Sequence, residues 1–236
     1  MDCFQSSKFI VLGERMKQLL AKRYNIPLEN IEVIPHGEFS FYKRYKLKVR
    51  ILNNHKRRFI RILFFGEIRR NKGIEYLIKA EPIISKKFSD YKICIAGKFQ
   101  GDFEYYRKFI KCADMYEIID NYIPNNQVAD LFENSDIVVL PYISATQSGV
   151  LHLAFGFGKP VIATNTGSIS EVLEHNKTGL LIPPCNEKLL ANAILELLLD
   201  KEKCLHFGEN AKEVANSKLN WKNIGRQTLQ LYKSVI

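Results

Sequence analysis

The chain has 236 residues, 46% of them apolar, which is enough for one large or two small domains with a real core. Its longest apolar runs, such as IVVL at 137–140, fall far short of the ~20 residues a membrane-spanning helix needs. The five cysteines show neither CxxC nor Cys/His spacing, which argues against zinc and a disulfide framework and for a reducing compartment, while the net charge of +10 points to anionic partners.

From the N-terminus, the first basic residue is Lys8 and no small-residue cleavage pattern follows a long apolar stretch, so no secretory leader is expected. The first 37 residues read as strand KFIVLG, helix ERMKQLLAKRYNI and strand IEVIPHG. Such a unit cannot bury both faces of its own two strands. The segment from Lys43 to Lys72 holds twelve lysines and arginines against one acid, Glu67. Two readings of this block stand: a solvated basic loop, or a surface that attracts phosphates or an anionic membrane face. Nucleic acid is disfavoured, because aromatic residues are thinly interleaved there and no binding motif appears.

From Phe59 onward, strand-like runs FIRILFFGEI, YKICIAGKF, IIDNYIP, DIVVLPY, KPVIAT and GLLIPP alternate with stretches of helical spacing. Those stretches are KGIEYLIKAEPIISKKFS, GDFEYYRKFIKCADM, NNQVADLFENS, SGVLHLAFGFG and SISEVLEHN. Near-continuous apolar strands linked by helices predict an α/β fold, a Rossmann-like doubly wound parallel sheet. Ligands of such sheets bind beyond the carboxyl ends of the strands. Ser168 and Glu171 have capping-box spacing, and Asn125 or Asn126 is placed to cap the helix that ends near Asn134. The C-terminal 50 or so residues read as two or three helices broken near Gly208 and Lys218, with Trp221 a packing anchor.

Two stretches converge on an anion site. GEIRRNKG, from Gly66 to Gly73, leaves the first large strand with Arg69 and Lys72 three apart, so a planar fork and a point charge can reach one pyrophosphate. An exposed polar loop is the equal alternative by spacing alone, and neither a Walker loop nor GxGxxG is present. In the second stretch, ATQSGV from Ala145 to Val150, a helix begins at Gly149. The free amides of Ser148, Gly149 and Val150 then face outward, and the missing Cβ of Gly149 lets a phosphate approach closely. Simple capping is the bland reading of that helix start.

In order and spacing, VIPHG at Val33, FFGEIRRNKGIEYLIKA from Phe64, AGK at Ala96, SDIVVLPY from Ser135 and GFGKPVIATNTGSISEVLEHNKTGLLIPP from Gly156 resemble the C-terminal, donor-binding domain of glycosyltransferase family 4, which are retaining GT-B enzymes. The resemblance runs from about Lys8 to about Lys233 and implies a nucleotide-diphosphate sugar as donor, no metal or other cofactor, and a glycan or lipid-linked acceptor. It implies Arg69 and Lys72 as the catalytic pair on the leaving diphosphate. It also implies donor contacts from Gly66, Tyr122, Ile123, Gln147, Ser148, Gly149, Val150 and Glu171, although a capping box alone would explain Glu171. Its organisation would be a remnant of the acceptor domain at 1–42, a basic connector at 43–58 and the donor domain with C-terminal helices at 59–236.

Many members of that family carry two glutamates separated by seven residues, which here fall on Ala145 and Leu153. This chain instead resembles a branch with QSGV in that place. By the resemblance the acceptor domain's first ~100–150 residues are absent, so a partner chain or self-association is expected to complete it. A working transferase at the cytoplasmic face of a membrane and a silent nucleotide-sugar-binding remnant are the competing expectations. His36, in the turn between the two units, is the histidine placed to face the cleft; His152 reads as a packed helical residue.

Overall fold

The computed structural model describes residues 8–45, 59–101 and 103–235. Six parallel strands form its main sheet: β3 (Ile60–Phe65), β4 (Tyr91–Ala96), β5 (Tyr116–Ile119), β6 (Ile137–Leu140), β7 (Val161–Thr164) and β8 (Gly179–Ile182), in the order β5-β4-β3-β6-β7-β8. A separate two-stranded parallel sheet pairs β1 (Phe9–Val11) with β2 (Ile31–Val33). Strand order reverses direction between β3 and β6. This is the switch point at which α/β sheets bind ligands.

Alternation along each strand divides the core in two. Ile62 and Phe64 of β3, Ile137 and Val139 of β6 and Ile162 of β7 face one layer, built mainly on α2 (Ile74–Ile84) and α7 (Glu187–Leu199). Leu63, Val138, Leu140, Val161 and Ala163 face the other, built on α4 (Asn125–Glu133) and α5 (Gly149–Gly156). All five of these strand positions on the second face are fully buried, so neither face meets water. The helices α1 (Glu14–Tyr24), α3 (Glu104–Arg107), α6 (Ile169–Val172), α8 (Lys201–Ser217) and α9 (Trp221–Lys233) complete the order.

Several local expectations are corrected. The stretch GDFEYYRKFIKCADM, read as helical, forms only the single turn α3 and a short 3₁₀ turn, and β5 begins at Tyr116, two residues before the run IIDNYIP. Asp120 then ends that strand by accepting the Phe99 N–H at 3.0 Å. The N-cap of α4 is Pro124, whose extended backbone turns the chain into the helix, so Asn125 is the first helical residue and not a cap. The C-terminal break falls at Asp200, whose carboxylate accepts the Lys203 N–H at 2.9 Å and caps α8. Gly208 lies inside α8, where an added Cβ would sit 2.6 Å from Gly158 O, so it permits close packing and breaks nothing. The second expected break, near Lys218, is where α8 ends.

Trp221 anchors α9 to the crossover between the two units. Its indole N–H donates to Glu38 O at 2.8 Å, and its ring meets His36 edge-on with centroids 5.5 Å apart. Part of the basic block is also structural. Lys43 donates to Gly156 O at 2.9 Å, closing the C-terminal end of α5, and Arg61 pairs with Glu117. The remainder of the expected connector, 46–58, lies outside the described residues.

Candidate functional site

Parallel strands deliver every β-to-α loop to one end of the sheet. The loops after β3, β5, β6 and β7 therefore meet there, and these loops with the starts of α5 and α6 carry the candidate donor-site residues read from the sequence, whereas His36 follows β2. The loop after β3 is tied to the loop after β6 by backbone: Ile143 N–H donates to Asn71 O at 2.9 Å, and the Asn71 side chain donates to Ser144 O at 3.3 Å. Gly73 turns this loop into α2 at φ +62°, and a Cβ there would sit 2.0 Å from Pro141 O. Only glycine fits that approach.

The tie brings the two anion-seeking stretches together. Lys72 Nζ lies 3.9 Å from the Tyr142 ring centroid, and the Tyr142 hydroxyl is 3.4 Å from Ser148 Oγ, at the start of α5. Burial, and then the charge of Arg69, hold Lys72 below the ordinary lysine range. Arg69 is about half exposed and forms an ion pair with Glu67 at 2.7 Å, so a bound phosphate would have to compete with that carboxylate. Gly66 lies at the end of β3, where a Cβ would be 3.5 Å from a Val150 methyl, so the strand end and the first turn of α5 touch.

At α5, Ser148 is the N-cap, with its Oγ accepting the Leu151 N–H at 3.3 Å. That bond satisfies one amide of the first turn. The site thus gains open N–H groups and the positive end of an eight-residue helix without a carboxylate. The Gln147 side-chain oxygen is buried with no hydrogen-bond partner. Tyr122 and Ile123 both lie in the loop after β5 and diverge: Tyr122 is 74% exposed, while Ile123 packs into the core. His152 is buried, as expected for a helical core residue. Its Nδ1 donates to Ser148 O at 2.9 Å, its Nε2 has no partner, burial lowers its pKa, and its ring centroid is 5.6 Å from that of His36.

Glu171 stands apart from the other candidates. The expected capping box is not formed: α6 is one turn long and Ser168 makes no capping bond to it. The Glu171 carboxylate instead accepts the Glu14 N–H at 2.6 Å and the Arg15 N–H at 3.0 Å, capping α1 across the cleft. Burial alone would raise its pKa, but the hydrogen bonds from Arg15 and Glu14 outweigh that and hold it below the ordinary range. Sequence reading missed Tyr142, Asn71 and Arg15. The first two lie beside the RRNKG and LPY motifs, whereas Arg15 carries no local signal. Among the described residues no cluster of three or more His, Cys, Asp or Glu is arranged to hold a metal, and no helix is long and apolar enough to cross a membrane.

A doubly wound parallel sheet with cations and an open helix start at its switch point has the architecture of the GT-B glycosyltransferases. Among solved structures, HepE from Anabaena in complex with UDP superposes with a TM-score of 0.82 at 18% identity, covering 97% of this chain and 64% of that one. Sucrose-phosphate synthase from Thermosynechococcus elongatus superposes at 0.79 and 24% identity, covering 96% and 57%. The family described as glycosyl transferases group 1 matches residues 43–214, and the chain belongs to it. It is 26% identical to an uncharacterised glycosyltransferase from Methanocaldococcus jannaschii, over 99% of this chain and 61% of that protein. It is 29% identical to a D-inositol 3-phosphate glycosyltransferase from Paenarthrobacter aurescens, over 92% and 55%. The chain therefore spans a little over half the length of these relatives.

Proposed function

We propose that the chain is the donor-binding part of a retaining glycosyltransferase of the family 4 type, in a branch with QSGV in place of the glutamate pair. The observation that carries the reading is the Lys72–Tyr142–Ser148 contact, which holds a cation and an open helix start around one space. A nucleotide-diphosphate sugar is the ligand this arrangement suits. Its pyrophosphate would lie between Arg69, Lys72 and the amides of Ser148, Gly149 and Val150, and its base near the main chain of Tyr122 and Ile123. In the transfer, the bond from the anomeric carbon to the phosphate oxygen breaks and the electron pair leaves on the diphosphate. The acceptor oxygen bonds to the same face of that carbon, and its proton passes to the departing phosphate oxygen. Fixed cations and amides stabilise the charge that develops there. No metal is needed for this step.

The acceptor would be a glycan or lipid-linked sugar, presented with help from a further domain, a partner chain or a second copy. Basic residues of the 43–58 segment would favour an anionic cytoplasmic membrane face. One observation favours a second reading, a nucleotide-sugar-binding part without catalysis: Ala145 and Leu153 put no carboxylate at the site, and Leu153 is buried in the core.

Calorimetric titration with UDP, GDP and ADP and their hexose conjugates, without added metal, tests the proposal. One nucleotide is expected to bind selectively, and Arg69→Ala with Lys72→Ala is expected to weaken it more than about 100-fold, the loss of two charge-assisted contacts. Unchanged affinity in the double variant would place the phosphates elsewhere. Binding without turnover of the sugar, in the presence of the remaining chain or domain, would favour the second reading.

A further inference from the structure

Beside the phosphate loops lies a cavity of about 270 Å³ between α1 and the loops that follow β6 and β7. That volume corresponds to about nine waters of liquid, room for one sugar ring and not for an oligosaccharide. Its lining includes the apolar Leu19 and Ile143, the neutral polar Ser144, Thr146, Asn165 and Thr166, and a single charged side chain, Arg15. No carboxylate lines it. Among the described residues Arg15 has no ion pair within 4 Å, though its charge helps to hold the nearby Glu171 carboxylate ionised, and its guanidinium donates to Gly167 O at 3.5 Å. The nearby Glu171 carboxylate is occupied by the Glu14 and Arg15 backbone N–H groups. Thr166 is more than nine-tenths buried, yet its Oγ1 has no hydrogen-bond partner.

A cation with spare donors, an orphan hydroxyl, further neutral polar groups and an apolar wall are what an anionic sugar ring requires. We infer that this cavity takes a monosaccharide unit bearing a carboxylate or phosphate, with Arg15 on the anion and Thr166 on a ring hydroxyl. Its position rests in part on the nucleotide-sugar reading. The cavity shares Ile143 and Ser144 with the loop that Asn71 ties to the basic pair, so a sugar extending from a pyrophosphate there would enter it. The same chemistry would serve an anionic acceptor.

Calorimetry on the whole chain decides between these sources. In the donor arm, UDP-glucuronate is compared with UDP-glucose, using the nucleotide that one structural neighbour holds. In the acceptor arm, glucuronate and glucose 6-phosphate are compared with glucose, with and without saturating UDP. At least about tenfold tighter binding of the anionic ligand is expected in one arm, the worth of one charged hydrogen bond. Arg15→Ala should abolish the preference and Arg15→Lys should retain part of it. Thr166→Val should weaken anionic and neutral sugars alike. Neither Arg15 variant should change the affinity for UDP itself. Equal binding of anionic and neutral sugars in both arms, or a preference that survives Arg15→Ala, overturns the inference. If none of UDP, GDP and ADP binds, the nucleotide reading fails by itself, and the acceptor arm without nucleotide still decides the cavity.

Discussion

Lys72 shows how a residue's surroundings set its chemistry. Packed on the Tyr142 ring and beside Arg69, its ammonium is partly desolvated and disfavoured relative to the ordinary lysine value of 10.5. Nucleoside-diphosphate affinity should therefore fall with rising pH as Lys72 loses its proton, beginning below the range in which an exposed lysine titrates. Lys72→Arg should keep its charge throughout and flatten the profile, which titrations at stepped pH would check. A Gly149 methyl would meet the Phe39 ring at 3.6 Å, an ordinary contact, so Gly149→Ala should fold normally. If a phosphate approaches that Cα, the same methyl should weaken nucleotide binding several-fold. Unchanged binding would remove the helix start from the site.

At the scale of elements, the site depends on two clasps. The first is the Gly73 turn: Gly73→Ala places a Cβ against Pro141 O and forces a left-handed backbone, which alone costs about 1–3 kcal/mol. Thermal unfolding should show that loss, and nucleotide binding should fall with it because the basic loop is displaced. The second clasp is Glu171 on α1. Glu171→Ala should release the Glu14 and Arg15 amides, raising their hydrogen exchange and costing about 0.5–2 kcal/mol. Because the folded pKa of Glu171 is depressed, this stabilisation is present above the unfolded carboxylate value and is lost as the pH falls through the folded one. Acid unfolding of the wild type should therefore include a component that the variant lacks.

These clasps also mark where sequence reading ended. The strands were legible because six apolar runs are nearly continuous, and parallel pairing then placed their loops at one end. The charged motif RRNKG and the start SGV could be named for the same reason. The α1 clasp joins residues 157 apart, and spacing that matched a local capping box hid the long-range partner of Glu171. Helical spacing in DFEYYRKFIKCADM misled in another way. Its aromatics Phe103, Tyr105 and Tyr106 form a ring cluster with Phe99 that packs without a long helix, so tertiary contact overrode the local pattern.

For the molecule as a whole, the six-stranded sheet has its own two-sided core, whereas the buried Val11, Ile31 and Ile34 of the β1–β2 unit belong to neither of its clusters and α1 packs against both strands. Ile10, Leu19 and Tyr24 of that smaller unit remain exposed. A unit of two strands is marginal by itself, so its attachment through Glu171, His36 and Trp221 governs how the cleft is held. On the proposed function, the strand ends of the larger sheet hold a nucleoside diphosphate between Lys72 and the start of α5. Amide chemical-shift mapping of the chain during titration with UDP, GDP and ADP reads that placement residue by residue. One nucleotide is expected to move the amide resonances of Ser148, Gly149 and Val150 together with those of the Arg69–Gly73 loop, at a common affinity. Unmoved resonances with all three nucleotides, or shifts confined to another face, would contradict it.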